Sequence, residues 1–199
     1  LCEGLKDSGA KVINIGMGPT PMTYFAHYHL EADAVIMVTG SHNPSEYNGF
    51  KMVLNKHSFY AEDIKSLQKL IDQNNLKLIE GEIINKDIKK EYINRLLQNI
   101  NLNKKIKIAW DIGNGAMGAV IKEITDNLKN SENILINEKV DGNFPNHHPD
   151  PTVPDNMEQL IKVVQDNHCD IGFAFDGDGD RLGVVDNLGH LVWADQYML

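Results

Sequence analysis

Residues 171–186 read IGFAFDGDGDRLGVVD, and the fold turns on how that stretch divides. The run 171–175 is short and apolar, and 182–186 is another, so both read as strands. Between them stand three aspartates at alternate positions, Asp176, Asp178 and Asp180, separated by glycines and closed by Arg181. The reading is strand, acidic turn, strand. Residues 190–193 then form a hairpin partner around the turn at 187–189. Upstream, Asp155 is placed to cap a helix running to about residue 167, with Leu160, Ile161 and Val164 on its buried face. Residues 134–137 and 105–110 are further strands, with a helix over about 116–128 between them. Strands follow at 12–15, 34–38 and 50–54. Helical periods run over 61–74, with Ile64, Leu67, Leu70 and Ile71, and over 87–100, with Ile88, Tyr92, Leu96 and Leu97. Strands alternating with helices predict an α/β fold, a mainly parallel sheet with helices on both faces. The polar stretch 99–105 divides the chain into two α/β units, residues 1–100 and 101–199.

Composition narrows the function classes. The 199 residues carry 42% hydrophobic and 24% charged side chains, ordinary for a globular protein with a buried core. The formal net charge of −9 argues against broad nucleic-acid or anionic-membrane binding, so neither is expected as a partner. It leaves a phosphorylated small molecule open, because screening over about 8 Å makes the local charge of a cleft decisive. Cys2 and Cys169 are far apart without a metal-type spacing, which reads as reduced thiols and a cytoplasmic location. No apolar run approaches the ~20 residues of a membrane span. Leu1 opens on what reads as the end of a helix, and residues 194–199 read as a helix just beginning, so a piece of a longer chain is expected.

Three motifs bear on chemistry. In 39–44, TGSHNP, a strand ending in Gly is followed by Ser41 and His42, which presents a hydroxyl at the carboxyl edge of a sheet, where open α/β sheets bind ligands. Taken alone, these six residues are better read as a polar turn in which Asn43 and Pro44 simply stop the strand. Asn48-Gly49 makes a turn, and Lys51, ten residues after Ser41, can fold back beside it to manage a proton or stabilise phosphoryl oxygens. In 176–181, three carboxylates so close are costly without a cation between them. Oxygen-only donors favour Mg²⁺ or Ca²⁺. An EF-hand fails, since Arg181 stands where the loop needs Gly, Asn187 occupies the twelfth position, and strands flank the turn. A solvated acidic turn is the plainer alternative. In 113–118, GNGAMG matches the dinucleotide fingerprint by letter, with Glu138 about twenty residues on. A tight strand-to-helix turn is preferred, because Asp111 and Ile112 separate the strand from the first glycine. His147-His148, in the Pro-rich loop 141–154, reads as a surface or interface loop that touches phosphate or a neighbouring domain. Residues 16–21 read as a shaped turn or a cleft wall.

Taken together and in this order, the motifs resemble the α-D-phosphohexomutase family, closest to its bacterial phosphomannomutase/phosphoglucomutase branch. Residues 39–51, TGSHNPSEYNGFK, look like that family's phosphoserine loop. Residues 176–181, DGDGDR, look like its metal-binding loop, and 140–151, VDGNFPNHHPDP, also resemble that branch. The resemblance runs over essentially the whole chain. It implies an isomerase of four domains, α/β/α sandwich-like with mixed sheets, of which this chain covers most of the first and the second. It implies that Ser41 carries phosphate, that Asp176, Asp178 and Asp180 bind one Mg²⁺ together with a phosphoryl oxygen on Ser41, and that His42, Lys51 and Arg181 assist by hydrogen bonding, proton transfer or charge. The implied substrate is a hexose 1- or 6-phosphate (mannose, glucose or both), with a hexose 1,6-bisphosphate as intermediate and activator. The sugar and distal-phosphate loops of that family have no counterpart here. Residues 1–199 alone are therefore expected to be inactive, with substrate preference and oligomeric state left open. A dinucleotide-binding oxidoreductase and a non-catalytic calcium module are the rival readings.

Overall fold

The computed structural model describes residues 1–73 and 78–197. By internal contacts the chain divides into two units. The first comprises residues 1–16, 23–37 and 50–88, and the second 17–22, 38–49 and 89–199.

The first unit contains α1 (Cys2–Asp7), β1 (Lys11–Asn14), most of α2 (Thr20–His29) and of β2 (Ala34–Val38), then β3 (Phe50–Leu54), β4 (His57–Ser58), α3 (Glu62–Asp72) and β5 (Glu82–Asn85). Strands β1 and β5 pair in parallel, from Lys11 opposite Glu82 to Asn14 opposite Asn85. A three-stranded sheet runs β2-β3-β4. Three of these elements escaped the sequence reading: β4, β5 and helix α2, whose start at Thr20-Pro21 was read only as a turn. Threonine followed by proline is an ordinary helix opening, because proline's fixed φ suits the first turn and its missing N–H is not needed there. Helix α3 forms where its apolar period predicts, ending at Asp72; the expected extension to Asn74 lies outside the described residues. Its apolar positions are not buried: Ile64, Leu67, Leu70 and Ile71 are all exposed. Periodicity defines a face, but only a packing partner buries it.

The second unit is built on a five-stranded sheet. Its elements are α4 (Lys89–Leu97), β6 (Ile106–Asp111), α5 (Ile121–Asn127), β7 (Ser131–Ile136), α6 (Glu158–Asp166), β8 (Ile171–Phe175), β9 (Leu182–Asp186), β10 (Leu191–Val192) and α7 (Ala194–Tyr197). The strand order is β10-β9-β8-β6-β7. Strands β7, β6 and β8 are parallel, and β9 and β10 continue antiparallel, so the sheet is mixed. Helix α6 lies against β6, β8 and β9. There Ala109, Met157, Leu160, Val164, Cys169, Ala174 and Val185 form a nearly dry cluster. Along β6 the side chains alternate as a pleat requires. Trp110, next to Ala109, turns to the other face, where its ring meets Phe173 at 5.0 Å and Phe175 at 6.3 Å.

Two helix expectations need correction here. The segment after the glycine-rich turn is a short 3₁₀ turn, Ala116–Ala119, followed by α5, not one helix over 116–128. Asp155 does not cap α6; it lies inside a 3₁₀ turn, Pro154–Met157, that leads into the helix. Proline at the first position of that turn starts it one turn early. Among the described residues no helix is long and apolar enough to cross a membrane.

The core makes a direct test possible. A Cβ built on Gly172 would lie 2.7 Å from Val164 Cγ2 and 3.1 Å from two atoms of Leu160. Gly172→Ala should therefore cost about 1–3 kcal/mol through overpacking, read as a shift in the urea unfolding midpoint at constant slope. A neutral substitution would show that α6 is free to move off the sheet.

Candidate functional site

Strand β8 ends at Phe175, and Asp176 is the first residue past its carboxyl edge. The turn that follows folds back on this aspartate. The backbone N–H groups of Asp180 and Arg181 donate to Asp176 Oδ1 at 2.9 and 3.0 Å, and Gly179 N–H donates to its carbonyl at 3.0 Å. Asp178 is held by Thr20, whose hydroxyl donates to Asp178 Oδ2 at 2.7 Å while the Thr20 N–H donates to the Asp178 carbonyl at 2.8 Å. Asp176 and Asp178 are 0% and 2% exposed, and Asp180 is exposed. One oxygen from each of the three carboxylates falls within 4.8 Å of the others.

Ser41 meets this cluster. Its loop closes at the base, where Thr39 N–H donates to the Gly49 carbonyl at 2.9 Å. Ser41 itself adopts φ +54, a left-handed conformation uncommon for a serine. Its N–H donates to Thr39 Oγ1 at 2.7 Å. That backbone turns the side chain onto the aspartates: Ser41 Oγ donates to Asp176 Oδ2 at 2.9 Å, with Asp178 Oδ1 at 3.1 Å. A hydroxyl has one proton, so it satisfies one of these carboxylates fully at a time. The two loops touch through backbone as well. A Cβ on Gly177 would lie 2.0 Å from the Ser41 carbonyl oxygen, so only glycine admits this approach.

Charge explains why the cluster suits a cation. Burial pushes the Asp176 carboxyl above its ordinary value, and the charges of Asp178 and Asp180 push it the same way, against the Arg181 N–H and the Ser41 hydroxyl. All the converging donors are oxygens, hard ligands of the kind that Mg²⁺ or Ca²⁺ takes. The residues present fit such an ion.

Of the other expected site residues, His42 presents Nδ1 to Ser41 Oγ at 3.3 Å. Arg181 Nε lies 4.0 Å from Asp176 Oδ2. Lys51 lies on β3, in the first unit, whereas Ser41, His42, Asp176, Asp178, Asp180 and Arg181 all lie in the second. Sequence reasoning missed Thr20 and Asp150. Asp150 Oδ2 is 3.8 Å from His42 Nε2, and Asp150 Oδ1 is 3.7 Å from Arg181 Nη1. Burial opposes the charge on Asp150, but the hydrogen bonds from Thr152 and the positive charges of His42 and Arg181 outweigh it and hold its carboxyl below the usual value. Both lie in stretches that the sequence singles out, 16–21 and 140–151, but nothing local names their partners, because each acts across a tertiary contact.

One further expectation is corrected, and the preferred reading of residues 113–118 as a tight turn agrees with the structure. His147 is not a free surface histidine. Its Nε2 sits 2.8 Å from Oδ2 of the fully buried Asp111 and its Nδ1 2.9 Å from the His148 carbonyl, while the other Asp111 oxygen accepts from Gly113 N–H and Asn137 Nδ2. A carboxylate in the dry end of β6 recruits the imidazole as its counterion. The glycine-rich turn does not offer a phosphate cradle. The N–H groups of Gly113, Asn114, Gly115 and Ala116 are engaged by Asp111 Oδ1, the Asn137 carbonyl, the Ile112 carbonyl and the Gly177 carbonyl. The turn buttresses the aspartate loop, which removes the observation on which a dinucleotide site would rest.

Two family models match the chain: "Phosphoglucomutase/phosphomannomutase, alpha/beta/alpha domain I" over residues 1–77, and domain II of the same description over residues 90–189. A phosphomannomutase/phosphoglucomutase of Pseudomonas putida is 43% identical over 100% of this chain and 43% of its own length. A phosphoglucomutase of Neisseria gonorrhoeae is 41% identical over 99% of this chain and 43% of its own. The crystal structure of a phosphoglucomutase/phosphomannomutase family protein from Burkholderia thailandensis superimposes with a TM-score of 0.91 at 39% identity, covering 98% of this chain and 44% of that one. The chain thus spans less than half the length of the curated relatives it matches.

The His147–Asp111 pair carries a pH signature. The hydrogen bond to Asp111 raises the His147 imidazole above its ordinary value, against the cost of its burial. A group raised in the folded state contributes its full stability below the unfolded value of about 6.5 and loses it as pH rises through the folded value. His147→Gln should cost about 1–2 kcal/mol near pH 6 and less near pH 9, measured by urea denaturation at both. A cost that grows with pH would show that the imidazolium is not the stabilising species.

Proposed function

The chain belongs to the phosphoglucomutase/phosphomannomutase family, and from that premise we propose that it carries the phosphoserine and metal loops of a mutase interconverting hexose 1-phosphate and hexose 6-phosphate. The observation that carries this reading is the position of Ser41 Oγ, 2.9 and 3.1 Å from oxygens of two buried aspartates. A serine so placed, with no apolar reason to be there, is where a transferable phosphoryl group would meet a cation.

Asp176, Asp178 and Asp180, with an oxygen on phospho-Ser41, would hold one Mg²⁺. When bound, that ion supplies charge neutralisation to the phosphoryl oxygens, and Ca²⁺ is the rival occupant of the same donors. The protein residues do the rest. Ser41 Oγ releases its phosphoryl group to a free hydroxyl of a hexose phosphate: the Oγ–P bond breaks, the sugar O–P bond forms, and the sugar's proton passes to a base while Oγ regains one. The resulting hexose 1,6-bisphosphate turns round, and its other phosphoryl group returns to Ser41. His42, with Nδ1 3.3 Å from Oγ, is the side chain suited to exchange that proton. Arg181 and Lys51 would complement the charge of the phosphoryl oxygens. Positioning and charge stabilisation account for most catalysis of phosphoryl transfer, which is what this set of groups offers. Mannose, glucose or both remain the candidate sugars. Residues 1–100 and 101–199 would be the first and second domains. Two free cysteines, Cys169 buried, support a cytoplasmic setting.

Two experiments on the gene product at its full length test this reading. Intact-mass analysis should find phosphate on Ser41, and Ser41→Ala should lower glucose 1-phosphate turnover about 10³-fold or more without unfolding the protein. Activity near wild type in that variant would end the proposal. Asp178→Asn should shift the Mg²⁺ activation curve at least about tenfold and leave the metal-free protein no less stable, since it removes a buried like charge. An unmoved curve would exclude Asp178 as a ligand.

A further inference from the structure

Neither the serine loop nor the aspartate loop contains Asp150, yet it closes a circuit between them. From Ser41 Oγ the path runs 3.3 Å to His42 Nδ1, then from His42 Nε2 3.8 Å to Asp150 Oδ2. From Asp150 Oδ1 it runs 3.7 Å to Arg181 Nη1, from Arg181 Nε 4.0 Å to Asp176 Oδ2, and 2.9 Å back to Ser41 Oγ. Asp150 is the one anion of that circuit outside the candidate ligand set. A cation held by the aspartate loop would compensate Asp176, whereas Asp150 faces His42 and Arg181.

The local chain prepares it for that task. Asp150 stands between Pro149 and Pro151, both buried, whose rings fix φ on either side. Oδ1 accepts from Thr152 Oγ1 at 2.7 Å and Thr152 N–H at 3.1 Å, and the Asp150 carbonyl accepts from Asn156 Nδ2 at 2.9 Å. The side chain is 12% exposed, so its field is little screened. Oδ2 accepts none of these bonds and faces His42.

We propose that Asp150 is a positioning residue for phosphoryl transfer, its single carboxylate orienting His42 and Arg181 around Ser41. Facing Nε2, the carboxylate favours the imidazole tautomer with its proton there and leaves Nδ1 as the acceptor toward Ser41 Oγ. Toward Arg181, whose side chain is 42% exposed, it holds the guanidinium beside the aspartate loop. A residue so arranged contributes to the transition state and little to ground-state binding. The inference rests on the mutase reading for its kinetic consequence, but the tautomer of His42 is a property of the protein alone.

The test compares wild type with Asp150→Asn at full length. Asparagine keeps Oδ1 as the acceptor for Thr152, removes the charge and sets an NH2 donor where Oδ2 faces His42 Nε2. Glucose 1-phosphate turnover should lose roughly 10- to 100-fold in kcat with KM little changed, while thermal stability stays close to wild type. In ¹⁵N NMR, His42, identified by loss of its signal in His42→Gln, should be the Nε2–H tautomer in wild type and a mixture in the variant. Wild-type kcat in Asp150→Asn, or a loss of kcat matched by a loss of stability with the His42 signal unmoved, overturns the proposal. If wild type itself shows no turnover, the mutase reading fails, and the His42 spectrum alone decides whether Asp150 orients the ring.

Discussion

Asp176 and Asp178 are almost wholly withdrawn from water, and each brings a carboxylate to the same small volume. Placing one charge there is expensive; placing two side by side is more so. Much of the second unit reads as a response to that cost. The turn after β8 bends so that two backbone N–H groups meet one oxygen of Asp176. The start of α2 supplies both a hydroxyl and an N–H to Asp178. The glycine-rich turn after β6 leans in from the side, with Ala116 N–H on the Gly177 carbonyl at 2.8 Å. These dipoles stabilise the negative charge without neutralising it. They keep the oxygens aimed at a common point and leave the last part of the compensation to something positive.

How much of this was legible depended on the range of the interactions involved. The strands at 34–38, 50–54, 171–175 and 182–186 were readable because apolar β-prone runs ending in Gly, Asp or Asn are local signals. The acidic turn was readable because three carboxylates in five residues are improbable without a purpose. The resemblance to a family then assigned roles that local reasoning alone left open at Ser41. What stayed hidden was pairwise. Thr20 gives no hint that its partner lies 158 residues away. Asp150 looks like part of a proline-rich loop until His42 and Arg181 stand beside it. Strands β4 and β5 are short and largely exposed, so no alternating pattern announces them.

Failures in the other direction are equally physical. The apolar stripe of α3 predicted a buried face, and the helix formed with that face exposed. His147 was read as a surface residue because adjacent histidines between prolines look like an exposed loop. A buried acid at the end of β6 changes that outcome, since Asp111 is more costly to leave alone than His147 is to bring in. In both cases the sequence specified the local element and the tertiary environment specified its exposure.

The contact between Ser41 and the aspartates also fixes a moment in the life of the chain. Asp176 and Asp178 follow Ser41 by 135 and 137 residues. At about 5–20 residues per second, a ribosome needs roughly 7–27 s after making the serine to make the residues that surround it. During that interval the loop 38–49 has emerged without the unit to which its contacts assign it. Its flanking strands belong to the other unit and are complete much earlier. The strands that flank the serine in sequence are therefore synthesised before the site is complete, and Ser41 acquires its neighbours only when the acidic turn arrives.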